Sequence, residues 1–550
     1  MAPAVHNRPI RDHVEALGFA KEHVRFYGED IVKISPEAMK APRTRSTPSK
    51  LVLVSAITPT PAGEGKTTTS IGLAQGLHAL GQSVSVALRE PSLGPAFGIK
   101  GGATGGGKSQ VVPADRINLH FTGDFHAITS AHNLLAALVD NHLHFGQSPA
   151  IDPRRVVWPR VLDMNDRSLR RVVVGLGNRS DGMPRQDGFE ITAASEVMAA
   201  LCLAESAADL RARLERCIVG YSPDGAPVTA KDLHAADAMV ALLQDAVWPN
   251  LVQTTEGVPA FVHGGPFANI AHGCNSVIAT RMALHASDWA ITEAGFGFDL
   301  GGVKFFDIKA RAADLDPAVV VLVATVRALK YHGGASLKDL KTPDPKAVAA
   351  GLQNLDRHID SLATFGKEPV IAINRFADDN DEETAVIQAH GEKRGLPCAL
   401  SEHFARGGEG AESLAKAVMA QAERGTKKHT PLYEVSQSVE AKIESVAAKM
   451  YGAEGVIFSK GARTNLKRIK KLGFDNLPVC IAKTHRSLSD DPTLRGRPTG
   501  FEITVREIVV NAAAGFLVVI TGDIMRMPGL PKEPRARHIK LGDDGVEGLM

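Results

Sequence analysis

The sequence is short of several things, and each shortage narrows the field. Cysteine is scarce: five residues in 550, at Cys202, Cys217, Cys274, Cys398 and Cys480, with no C-x-x-C pair and an odd count. That argues against a disulfide framework or a structural zinc site and points to a reducing compartment. No apolar run approaches the ~18 residues of a membrane helix, and the first residues lack the basic-then-apolar pattern of a secretory signal. The expectation is a cytoplasmic protein with no membrane partner. An excess of one charge is also missing: 63 basic against 61 acidic residues leave a net +2, which gives nucleic acid no electrostatic footing. Low-complexity tracts and fixed-period repeats are absent. What remains is 44% apolar and 23% charged, the balance of a multi-domain globular protein that acts on small molecules.

One stretch organises the rest. Leu51 to Ile57 is a continuous apolar run, the pattern of a buried strand. A Pro/Gly-rich loop follows, and helical spacing begins at Thr67. At the junction stands Gly63-Glu64-Gly65-Lys66-Thr67-Thr68. Glycines let the backbone curl its N–H groups inward, Lys66 adds a charge, and the new helix adds the positive end of its dipole. Thr67 offers a hydroxyl to a magnesium ion. This is a triphosphate cradle built from Thr60, Pro61, Ala62, Gly63, Glu64, Gly65, Lys66, Thr67 and Thr68, with Thr60 where the usual pattern has glycine. A second strand at Ser83 to Leu88 gives a βαβ order, which predicts an α/β fold of the P-loop NTPase-like type, mostly parallel sheets with helices on both faces. Ligands bind at the carboxyl ends of such strands. Arg89, directly after the second strand, therefore shares a rim with Lys66 and can grip a phosphoryl or carboxylate oxygen pair.

Glycine punctuates the remainder. The run Gly98 to Lys108 holds too many glycines for a helix or strand interior and suggests backbone that approaches a ligand or a neighbouring loop closely. Further glycine turns are expected at 263–273, 293–302 and 402–410. Strands are expected at 288–292, 319–326 and 369–373, the last running into Asn374-Arg375-Phe376. Phe296, between two glycines, is either a core residue or a flat ring offered to a flat ligand. The histidines at 120, 126, 132, 142 and 144 lack metal-ligand spacing and are expected to pack rather than ligate. Residues 1–50 are expected to cover the domain. Helices are expected at 192–214, 230–246 and 347–364, a solvated acidic helix start at 378–383, and a solvated basic face at 467–471. Strands at 455–458, 479–482 and 516–520 belong to the last third. On this reading alone, an ATP-dependent carboxylate kinase or ligase stands ahead of a nucleotide-switched binding module, because Arg89 and the glycine turns read as a small-molecule site.

Together these segments resemble one family, the formate–tetrahydrofolate ligases of the single-function bacterial type. The likeness is carried by PAGEGKTTT at 61–69, REPSLGP at 89–95, GIKGGATGGGK at 98–108, INLHFTGDFHAIT at 117–129, EAGFG at 293–297, VATVRALKYHGG at 323–334 and KTHRSLSDDP at 483–492, in family order across most of the chain. The resemblance implies ligation of formate to tetrahydrofolate with MgATP through formyl phosphate, in a homotetramer. It implies a nucleotide-binding domain over 1–298, a folate-binding domain over 299–415 and a C-terminal α/β domain over 416–550. By motif, Lys66 and Thr67 hold phosphates and magnesium, and Arg89 holds formyl phosphate. Glu90 and Asp124 belong to a monovalent-cation site for potassium or ammonium. Phe296, Phe376 and Phe404 line the pterin. Phe404 stands where similar relatives carry Trp, and Thr104 and Lys108 replace the more usual Ala and Tyr.

Overall fold

The computed structural model describes residues 8–42, 48–61, 63–98, 103–425, 427–542 and 545–549. At its centre lies a large mixed sheet in which seven strands run parallel. The strand Lys50–Ala56 takes the middle position, paired with Trp289–Glu293 on one side and Val319–Ala324 on the other. Outward from these lie Val84–Leu88 and Pro259–Val262 in one direction, and Pro369–Asn374 and Cys398–Ser401 in the other. Leu51 and Leu53 pack into one buried cluster, Val52 and Val54 into another. Both faces are therefore apolar, which is why the strand reads as a continuous hydrophobic run and not as an alternation. Ile71, Leu73 and Leu414 cover one face; Val277, Leu355 and Ile359 cover the other.

The N-terminal segment does more than cover the domain. Val24–Phe26 and Val32–Ile34 pair antiparallel and join the sheet through Asn250–Thr254, which is itself antiparallel to Pro259–Val262. The expected 192–214 helix is two helices, Glu196–Leu203 and Ala207–Leu214. Ser206 breaks it by accepting from the Asp209 N–H at 3.1 Å, the behaviour of an N-cap. Within 230–246 only Ala236–Leu243 is helical. The glycine-rich 293–302 segment is not irregular throughout: Phe298–Gly302 and Phe305–Ala310 are π-helical turns that run on to Ala313.

The acidic 378–383 segment also departs from expectation. Its helix, Asp381–Lys393, is capped by Asn380, but Glu383 is fully buried and pairs with the buried ammonium of Lys330 at 2.9 Å. Glu383 also accepts the Asp344 N–H at 2.7 Å, fixing the start of the helix Pro345–Thr364. The basic 467–471 run does lie on a solvated face, with Ile469 alone turned inward.

A second sheet of four strands orders Gly455–Phe458, Glu502–Asn511, Phe516–Thr521 and Val479–Ala482. Its longest strand, Glu502–Asn511, has no continuous apolar run, and a register shift between Val505 and Glu507 breaks its alternation. The loop that leaves Val479–Ala482 turns back to the large sheet, where Lys483 forms a buried ion pair with Asp299 at 2.7 Å.

Candidate active site

The segments carrying Lys66, Arg89, Glu293, Phe296, Phe376 and Phe404 each leave the carboxyl end of a parallel strand. After Lys50–Ala56 the chain curls through Thr60 to Gly65 and enters the helix Lys66–Ala79. Glu64 braces this curl from inside: its carboxylate accepts the Thr60 N–H at 2.6 Å and the Thr325 hydroxyl. Burial pushes the Glu64 carboxyl up, and these two bonds pull it back. Gly65 has φ 71°, and a Cβ there would lie 2.5 Å from the Asn374 side chain. Only glycine combines that φ with that approach. Asn374 closes the contact by donating to the Glu64 carbonyl at 3.0 Å. Pro61 and Gly63 lie at the surface of the curl and Thr68 is half-buried; Ala62 lies outside the described residues.

Lys66 and Thr67 open the helix. The Thr67 hydroxyl donates to Glu293 at 2.8 Å. The other oxygen of Glu293 lies 3.6 Å from Nε of Arg89, and the Arg89 guanidinium also reaches the Pro266 carbonyl at 3.5 Å. Lys66 joins the same field. Burial lowers its ammonium from the usual lysine range to about 8, although Glu293 and Glu64 favour the charged form. Arg89 and Lys66 therefore do share one rim, and the buried carboxylate of Glu293 holds it together. Glu293 stands in the EAGFG stretch, and its mark in the sequence is a glutamate ending a central parallel strand.

Glu90 and Asp124 form a second cluster one step along the edge. Lys33 places its ammonium 2.8 Å from Asp124, both side chains being almost wholly buried. Asn250 donates to the same carboxylate at 2.8 Å. Glu90 is buried, and its Oε2 has no hydrogen-bond partner. Desolvation, and then the charge of Asp124, push its carboxyl well above the usual range. Lys33 lay outside every quoted motif; its placement depends on the N-terminal strands joining the sheet.

The three phenylalanines stand on separate supports. Phe296 has φ 59° and stacks on His485, ring centroids 4.4 Å apart and planes 15° from parallel. Phe376 follows the strand Pro369–Asn374 and carries the Arg327 guanidinium over its ring at 4.3 Å. Phe404 is 56% exposed and lies against the glycine run. A Cβ at Gly107 (φ 59°) would sit 2.1 Å from the Phe404 carbonyl, and that carbonyl accepts the Lys108 N–H at 2.9 Å. The described part of the glycine run thus exists to meet a neighbouring loop; residues 99–102 lie outside the described residues. Thr104 is buried, with its backbone carbonyl accepting the Val111 N–H at 2.9 Å, while the Lys108 side chain is exposed.

Of the five histidines two pack, His132 and His142, while His120, His126 and His144 are exposed. His132 stacks on Trp158 at 4.3 Å and bonds the Pro159 carbonyl through Nε2, and His142 bonds the Pro149 carbonyl. Among the described residues no group of three or more His, Cys, Asp or Glu is arranged to hold a metal ion, and no helix is long and apolar enough to cross a membrane. The five cysteines are free thiols. Compared with known families, the sequence matches the model described as formate–tetrahydrofolate ligase over residues 1–550.

Proposed function

The chain belongs to the formate–tetrahydrofolate ligase family, and from that premise we propose how its residues divide the reaction. The enzyme is a ligase that uses ATP to join formate to tetrahydrofolate, giving 10-formyltetrahydrofolate. In the reading supported here, a formate oxygen attacks the γ-phosphorus of ATP and ADP leaves, producing formyl phosphate. N10 of the folate then attacks the formyl carbon, phosphate leaves, and N10 loses its proton. Formate is a poor acyl donor until its oxygen carries phosphate, so the first step makes the second possible.

The observation that carries this reading is the convergence of Arg89, Lys66 and Thr67 around Glu293 at the mouth of the phosphate loop. Phosphoryl transfer asks mainly for positioning and charge neutralisation, and two cations beside one hydroxyl offer both. Backbone N–H groups of the 60–67 curl and the helix N-terminus cradle the phosphates. Lys66 balances the charge on the transferring group. Arg89 holds a pair of formyl phosphate oxygens and faces the negative charge that grows on the carbonyl oxygen as N10 attacks. Thr67 and Glu293 are hard oxygen donors suited to magnesium, which when bound would neutralise the outer phosphates. The orphaned buried oxygen of Glu90 suits a potassium or ammonium ion, with Asp124 already matched by Lys33. Phe296, Phe376 and Phe404 supply flat apolar surface for the pterin.

We extend the same reading to a cytoplasmic homotetramer, to be checked by light scattering on the purified protein. The reaction itself is tested with formate, MgATP, tetrahydrofolate and potassium. Product is converted by acid to the methenyl form, and each component is omitted in turn. Product that requires all three substrates supports the ligase, whereas ATP hydrolysis indifferent to formate and folate overturns it.

A further inference from the structure

The loop Lys483 to Ser489 comes from the second sheet, yet it touches the Phe296 turn twice. Lys483 pairs with Asp299 at 2.7 Å, with 0% and 1% of the two side chains exposed. Two residues on, the imidazole of His485 lies nearly parallel to the Phe296 ring at 4.4 Å. Lys483 also donates to the carbonyls of Thr484, at 3.1 Å, and Ser487. A buried ammonium thus ties down both ends of the short span that presents His485.

The turn on the other side is equally constrained. Phe296 holds a positive φ that an aromatic side chain rarely adopts. Its neighbours are closely packed. A Cβ on Gly295 would meet the Arg89 guanidinium at 2.8 Å, and one on Gly297 would meet Asp299 at 2.4 Å. Phe298, next along, is buried edge-to-face against Phe306 and Phe365. The turn is closely packed on both sides of Phe296, and the ring itself meets His485.

We propose that His485 is a positioning residue for the folate: by stacking on Phe296 it fixes the ring plane against which the pterin lies, so the second sheet completes the folate site. The proposal rests on the assignment of Phe296 to the pterin. A preset ring spares the substrate from ordering it, and such preorganisation acts on binding before it acts on chemistry. Removing the imidazole should raise the KM for tetrahydrofolate about fivefold, the factor that a stacked ring pair supplies, and leave kcat within about twofold.

The test compares His485→Ala, His485→Gln and His485→Phe with the natural enzyme. KM is measured for tetrahydrofolate, formate and MgATP. The expected pattern is a raised folate KM for Ala and Gln, recovery toward the natural value for Phe, and unchanged KM for formate and MgATP throughout. A folate KM that stays level or falls in the Ala and Gln variants overturns the proposal, as does a loss confined to kcat. The Gln and Phe variants keep a polar or ring-sized side chain, so a poorly folded Ala variant does not remove the comparison. If the natural enzyme makes no folate-dependent product, the ligase reading fails first. If it does and the variants match it, only the role of His485 fails.

Discussion

Arg89 and Thr67 meet on one carboxylate. Nε of Arg89 lies 3.6 Å from one oxygen of Glu293, and the Thr67 hydroxyl donates to the other at 2.8 Å. The three residues end or follow three adjacent parallel strands, so the sheet itself sets their spacing.

Arg89→Ala should lower kcat about a hundredfold, the usual loss when one preorganised transition-state donor is removed. The KM for MgATP should change little, because the phosphate loop and Lys66 remain. Turnover close to the natural value would end the assignment of Arg89 to the transferring group.

Lys66 gives a pH dependence with a definite sign. Its ammonium is lowered to about 8 by burial, and in the proposed site the charged form is the one that meets phosphate. Below that pH the charge is present, and it is lost as pH rises through it. For the natural enzyme kcat/KM for MgATP should fall about tenfold per pH unit on the alkaline side, whereas Lys66→Arg should hold level, since guanidinium stays protonated there.

Gly107→Ala forces a side chain onto a positive φ and into the Phe404 carbonyl. The strain alone is about 1 kcal/mol, and the displaced loop carries Phe404 with it. The midpoint of thermal unfolding should fall, and the folate KM should rise more than the MgATP KM.

The Lys330–Glu383 pair is wholly buried. Glu383→Ala leaves an uncompensated ammonium and should destabilise the fold by about 4 kcal/mol in denaturant titration. Combining Lys330→Met with Glu383→Leu should cost less than Glu383→Ala alone, although the Thr342 carbonyl and Asp344 N–H lose their partners.

Phe404→Trp enlarges an exposed ring that already lies across the glycine run. A broader face and an added N–H should lower the folate KM severalfold, read from initial rates with tetrahydrofolate varied.

What was legible in the sequence was local. The apolar run at 51–57, the glycine loop and Lys66-Thr67 lie side by side in the chain, so one strand, one curl and one helix start could be read together. Arg89 followed from the βαβ rule. What escaped depends on residues far apart in sequence. Glu383 resembled a solvated helix start until Lys330 was placed opposite it. Lys33 has no mark of its own in the sequence, and only the pairing of the N-terminal strands brings it to Asp124. The strand Glu502–Asn511 hid its alternation behind an irregular register. His485 stands inside the KTHRSLSDDP stretch, but the ring it stacks on lies in a turn that follows a strand of the other sheet.

The central position of the strand Lys50–Ala56 bears on synthesis. Its two partners, Trp289–Glu293 and Val319–Ala324, are translated long after it, and the Lys483 anchor later still. Because non-local pairing must wait for its partner, the phosphate loop emerges from the ribosome without the neighbours that shape it. A nascent chain therefore carries the 60–68 loop in full long before the strands that frame it have been made.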